Sequence, residues 1–353
     1  MKYAFPLKYA APLLAVISLV AIAWLGSVIP VLQYLFGIVV PYAALALFVG
    51  GFCYRVLEWA KSPVPFHIPT TCGQGYSLPW VKRNILDHVE APSNTAGVTV
   101  RMFMEIFLFR SLWRNTKADV LPGPKLTYES SKWLWLFGIV FHYSMLVILL
   151  RHLRLLLEPV PFLIFALEYL DGILQVTAPA VYLTDAAILI GLFSLLGRRL
   201  INPQVRYISL ANDYFPLFLL IGIAVSGVLM RYLLRSNVDI IAIKQLAVGL
   251  TTFSFGQMFS SINGGIASIF YIHLFLVSCL LAYFPFSKLM HMGGVFLSPT
   301  RNLANDSRMR RHVNPWNPDI KPHSYAGYED EFRADMVEQG IPVEQELPDK
   351  ADD

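Results

Sequence analysis

With 353 residues, 56% of them hydrophobic and 15% charged, and a mean hydropathy of +0.53, this chain is too apolar for a soluble domain, where about a quarter of residues are charged. Its net charge of +4 is small and dispersed, which excludes an electrostatic nucleic-acid binder, so no nucleic acid is expected as a partner. Three cysteines, Cys53, Cys72 and Cys279, lie too far apart for a CxxC ligand pair, which excludes an iron–sulfur centre, a zinc ribbon or a disulfide framework carried by this chain alone.

The chain opens with Lys2 and Lys8 ahead of a long apolar run that ends at Val28-Ile-Pro30 without a small-x-small cleavage site, and it reads as an anchor rather than a removed leader. Six spans are expected, at about 9–29, 31–54, 132–153, 180–197, 213–234 and 264–288, each near the length a bilayer demands. With the N-terminus inside, 23 of the 28 lysines and arginines fall on inner segments. That bias places both termini in the cytoplasm and the chain in the inner membrane.

Between the second and third spans lies a long inner loop. It holds a Pro/Gly-rich stretch over 63–75 and then Val98 to Asn115, where Met102, Phe103, Ile106 and Phe107 alternate with Arg101, Glu105 and Arg110. That alternation predicts an amphipathic helix on the membrane surface. On the outer side, Leu155 to Ala178 is apolar but broken by Glu158, Pro159, Pro161, Glu168 and Asp171, and reads as a short external helix. The polar tail from Gly293 carries the cluster Arg308, Arg310, Arg311 and an acidic end; its first part reads as a docking arm. The expected division is therefore an N-terminal transmembrane hairpin at 1–57, a cytoplasmic loop at 58–131, a four-helix core at 132–292 and a cytoplasmic tail at 293–353.

Ionisable residues inside a membrane are costly and usually functional. The third span carries His142 and His152, and the sixth carries His273 and His291 at its end. Residues 18 apart on a helix share one face about 27 Å apart, whereas 10 residues give about 15 Å of rise. In an antiparallel pair of helices, His142 then meets His291 near the cytoplasm and His152 meets His273 near the outside. The unequal rises demand a bend, for which Pro285 is suited. Each pair is able to supply both axial ligands of one haem, giving two haem b and making the four histidines metal ligands. His67, His88, His312 and His323 show no ligand spacing and read as solvated loop residues.

Two histidines ten apart on one span and two eighteen apart on a later one resemble the gamma subunits of respiratory nitrate reductases. That resemblance implies an all-α integral membrane fold with a dihaem four-helix core, to which the first two spans add a hairpin. It also implies the pairings His142 with His291 and His152 with His273. The segments Ile68-Pro-Thr-Thr-Cys-Gly73, Ser77-Leu-Pro-Trp80, Ser298-Pro-Thr-Arg-Asn302 and Arg311-His-Val-Asn-Pro-Trp316 are similar to the DsrM family, membrane subunits of DsrMKJOP complexes of dissimilatory sulfur metabolism. This implies a DsrK-like cytoplasmic iron–sulfur partner resembling heterodisulfide reductase, DsrJ-, DsrO- and DsrP-like subunits, and menaquinol as electron donor. The expected quinone contacts lie beside the outer haem at Arg151, Glu158 and Asp171. Two alternatives stay open: a cytochrome b serving a nitrate or heterodisulfide reductase, and a haem-free transporter or scaffold whose histidines relay protons or pack.

Overall fold

The computed structural model describes residues 7–62, 85–113, 117–123, 125–129, 131–172, 181–305, 321 and 323–345. The motifs at 68–73, 77–80 and 311–316 and the arginine cluster at 308–311 lie outside the described residues. The first apolar run forms α1, Leu7–Val28. Pro30, with no N–H to lose, starts the next helix at its first turn, where a proline is tolerated. This second span is one path of three pieces: α2, Pro30–Tyr34, a π-helical turn at Leu35–Val39, and α3, Val40–Ala60.

The loop then supplies α4, Ile85–Glu90, α5, Thr95–Phe107, α6, Arg110–Trp113, and a hairpin of β1, Lys117–Leu121, with β2, Lys125–Glu129. Asn94 caps α5 by accepting the Gly97 N–H at 2.8 Å. The helix is amphipathic as expected, and its charged face is the one turned into the protein. Arg101, Glu105 and Arg110 are buried, while Val100, Phe103 and Phe107 are exposed. Burial of the charged face is offset by partners: Arg110 pairs with Glu90, the Ser111 hydroxyl donates to Glu105 at 2.6 Å, and Arg301 stands 3.8 Å from Glu105. An apolar face turned outward suits contact with lipid.

The rest of the chain runs through α7, Lys132–Leu156, α8, Phe162–Asp171, α9, Leu183–Ile201, α10, Pro203–Ile208, and α11, Ala211–Val228, which a π-helical turn extends over Leu229–Leu233. Two helices follow that the span prediction did not contain, α12, Ile240–Thr252, and α13, Phe255–Asn263. Asp239 caps α12 by accepting from Ile241 and Ala242. Next come α14, Ser268–Tyr283, α15, His291–Leu297, and α16, Pro299–Asn302. Leu246, Met258, Ile262 and Tyr271 close a core that ties α12 and α13 to α14 and to the π-helical turn of the second span.

Among the described residues, five helices are long and apolar enough to cross a membrane: Lys8–Val28, Pro30–Ala60, Lys132–Leu156, Ala211–Leu233 and Ser268–Phe286. The fourth expected span, 180–197, forms as α9, but Asp185 near one end and Arg198 and Arg199 at the other leave it outside that class, so five of the six expected spans meet it. α7 packs on α9, α9 on α11, and α11 on α14, while α1 and α3 back onto α14. Gly191 lets α9 approach α7 closely, since a Cβ there would stand 3.1 Å from the Phe141 nitrogen. The compact unit extends to Asp306, and Ser307–Asp353 forms a second.

Where it is described, this second unit is built on α17, Tyr325–Glu338, capped by Ser324. The buried Glu329 carboxylate accepts the Glu344 and Gln345 N–H groups, each at 2.9 Å, and pairs with Arg333 at 3.3 Å. The Glu344 N–H bond, with those from Gln345 and Arg333, holds this carboxyl below its ordinary value of 4.5. Glu329 therefore stabilises the turn fully above that pH and ceases to do so as pH falls through its lowered value. Glu329→Gln should speed amide exchange at Glu344 and Gln345 about tenfold at neutral pH. Unchanged exchange at those amides would show that the turn is held by other contacts.

Candidate functional site

The structure brings His142 and His291 together with ring centres 6.0 Å apart and planes at 83°, and His152 and His273 with centres 6.3 Å apart and planes at 13°. The packing of α7 on α9, α9 on α11 and α11 on α14 forms three sides of a four-helix ring, and the two imidazole pairs lie on the fourth side, between α14–α15 and α7. The sixth span does not reach His291 as one rod, so the straight-helix spacing fails beyond Phe284. Pro285 removes a backbone donor, the chain tightens into 3₁₀ turns at Phe284–Phe286 and Lys288–Met290, and His291 starts α15.

Every one of the four rings has its Nδ1 engaged. His142 donates to the Gly138 carbonyl and His152 to the Ile148 carbonyl, both at 2.7 Å, and His291 donates to the Lys288 carbonyl at 2.9 Å. His273 Nδ1 lies 3.0 Å from the Ser226 hydroxyl, whose own proton goes to the Ile223 carbonyl at 3.0 Å. A hydroxyl has one proton, so Ser226 accepts and His273 also donates from Nδ1. All four Nε2 atoms are thereby left as lone-pair donors, the tautomer a metal requires.

With a metal–nitrogen bond of about 2.0–2.1 Å and a ring centre about 1.1 Å behind the nitrogen, two trans imidazoles stand about 6.2–6.4 Å apart. Both pairs fall at or close to that distance. Among the described residues no group of three His, Cys, Asp or Glu side chains converges on a metal position. Two ligands from opposite sides suit a macrocycle that brings its own equatorial nitrogens, and so the residues fit haem. Gly227 faces His273, where a Cβ would stand 3.4 Å from Cε1.

Beyond His152 the bundle ends in a polar cluster. Arg151 donates to Asp171 at 2.7 Å and to Asp185 and Thr184 at 3.1 Å. The Tyr232 hydroxyl donates to Asp185 at 2.7 Å. The Tyr182 ring lies between two guanidiniums, Arg151 at 3.6 Å and Arg231 at 3.9 Å from its centre. Of the three expected quinone contacts, Arg151 and Asp171 thus hold each other, while Glu158 pairs with Lys244 instead. Ser226, Asp185 and Tyr232 were missed by the sequence reading. Asp185 had a usable signal, a carboxylate one turn into an apolar run. Ser226 had none beyond its place beside Gly227.

Apolar helices packed around two facing imidazole pairs define a multi-pass membrane protein of the cytochrome b class. The chain belongs to the nitrate reductase gamma subunit family, whose model matches residues 103–311 and leaves the N-terminal hairpin outside. It is 48% identical over 284 residues to the Hdr-like menaquinol oxidoreductase cytochrome b-like subunit of Archaeoglobus fulgidus, covering 80% of this chain and 84% of that one. It is 43% identical over 279 residues to the protein of the same name from Archaeoglobus profundus, covering 79% and 81%.

Proposed function

We propose that this chain is the dihaem cytochrome b subunit of a menaquinol-linked oxidoreductase, exchanging electrons between membrane menaquinol and a cytoplasmic iron–sulfur subunit. The observation that carries the reading is the set of four Nδ1-anchored imidazoles in two pairs at trans-ligand distance. Haem held there supplies one-electron exchange at two depths of the membrane. His142 with His291 would hold one group and His152 with His273 the other, each ring fixed by its carbonyl or hydroxyl partner. The positive-inside bias favours His142–His291 toward the cytoplasm and both termini inside.

Menaquinol binding is assigned to the His152 end. Arg151 and Asp171, paired with each other, would frame the site. Glu158, a largely exposed carboxylate on the linker after α7 that pairs with Lys244, is the member assigned to pass a proton outward. Carrying one electron inward against 100 mV stores about 2.3 kcal/mol. The relatives' names support menaquinol as donor and a heterodisulfide reductase-like partner. The similarity of the loop and tail motifs to the DsrM family extends the proposal to DsrK-, DsrJ-, DsrO- and DsrP-like subunits in sulfur metabolism. Pyridine haemochrome analysis of the purified protein should give two b haems per chain, both reduced by a menaquinol analogue. A colourless protein would overturn the reading in favour of a transporter or scaffold.

A further inference from the structure

Phe109 sits at the break between α5 and α6 with φ of +48°, a left-handed conformation that glycine or asparagine adopts readily and a bulky aromatic residue does not. Such strain persists only where the surroundings over-determine it, and here they do. The two carbonyls just before it are held by aromatic side chains of α7: the Tyr143 hydroxyl donates to Phe107 O at 2.9 Å and the Trp135 indole N–H to Leu108 O at 2.7 Å. The Phe109 carbonyl accepts from Leu112 at 2.9 Å and Trp113 at 3.3 Å, and the next residue, Arg110, is fixed to Glu90. What this conformation achieves is placement of one ring. Phe109 meets the His142 imidazole edge to face, with centres 4.9 Å apart at 71°.

We propose that Phe109 is a positioning residue for His142: the strained loop holds an aromatic ring against the imidazole, fixing its plane and giving it an apolar neighbour. The proposal rests on haem ligation by the His142–His291 pair. A haem centre held by two imidazoles would carry one more positive charge when ferric than when ferrous, so an apolar neighbour disfavours the ferric form and raises the reduction potential.

Phe109→Gly removes the ring while relaxing the backbone, and Phe109→Leu keeps an apolar cover. Redox titration of the full chain, followed by optical and electron paramagnetic resonance spectra, reads the two haems separately once His152→Ala has identified the His152–His273 signal. Phe109→Gly should leave two haems bound and lower the potential of the His142–His291 haem by at least about 59 mV, a tenfold shift in its one-electron reduction. The other haem should not move, and Phe109→Leu should stay near the parent. A parent protein with two haems whose signals are unchanged in Phe109→Gly, or shift together, overturns this role alone. A parent without haem overturns the ligation reading and this role with it.

Discussion

His152→Ala is expected to halve the haem content, from two groups per chain to one. On the proposed ligation its ring would be one of two side chains holding that haem, and His273 lies 6.3 Å away with no third donor group converging among the described residues. His273 alone would hold that group from one side only. The His142–His291 pair lies about 15 Å along the same helix and keeps its own anchors on Gly138 and Lys288, so it should survive. His142→Ala should give the complementary loss, and His88→Ala, an exposed residue of α4, no loss. Pyridine haemochrome quantification decides the matter. Two haems remaining after His152→Ala would show that this pair is a packing contact.

Arg151→Ala should produce the largest loss of stability. Asp171 and Asp185 are both buried, and the Arg151 guanidinium bridges them. Removing one partner of a buried charge pair costs about 3–5 kcal/mol, mostly as the penalty on the charge left behind. Arg151→Lys keeps the charge but loses the planar fork that serves both carboxylates while lying over Tyr182, so an intermediate loss is expected. Asp171→Asn combined with Arg151→Ala should recover part of it, with a coupling of about 0.5–3 kcal/mol. Thermal unfolding in detergent, followed by circular dichroism, measures each variant. If Arg151→Ala melted with the parent, α7, α8 and α9 would be held together by packing alone.

Much of this organisation is legible in the sequence because a membrane simplifies it. Apolar length gives the spans, and a histidine within a span is costly enough to attract notice, so four of them on two helices suffice to pair His142 with His291 and His152 with His273. Pro285 announces the break before His291. Other features depend on neighbours distant in the chain. The alternation at 98–115 reveals two faces but not which one turns inward, since burial of Arg101 and Glu105 relies on contacts such as Ser111 and Arg301. The π-helical turn at Leu229–Leu233, which presents Arg231 to Tyr182 and Tyr232 to Asp185, answers to packing rather than composition. The hairpin at 117–129 did carry a signal in Pro122-Gly123, and α12 carried one in its Asp239 cap.

The two rails that carry the imidazoles differ in stiffness. His142 and His152 ride on one continuous helix of 25 residues, so hydrogen bonding along α7 alone sets their vertical interval, like marks on a ruler. The opposite rail is jointed between Tyr283 and His291, and beyond that joint α15 leads into α16, which leans on α5. A push on that jointed end from a docked neighbour would swing His291 while leaving His273 where it is. The interval between the two depths would stay constant, and only the jaw nearer the joint would open or close.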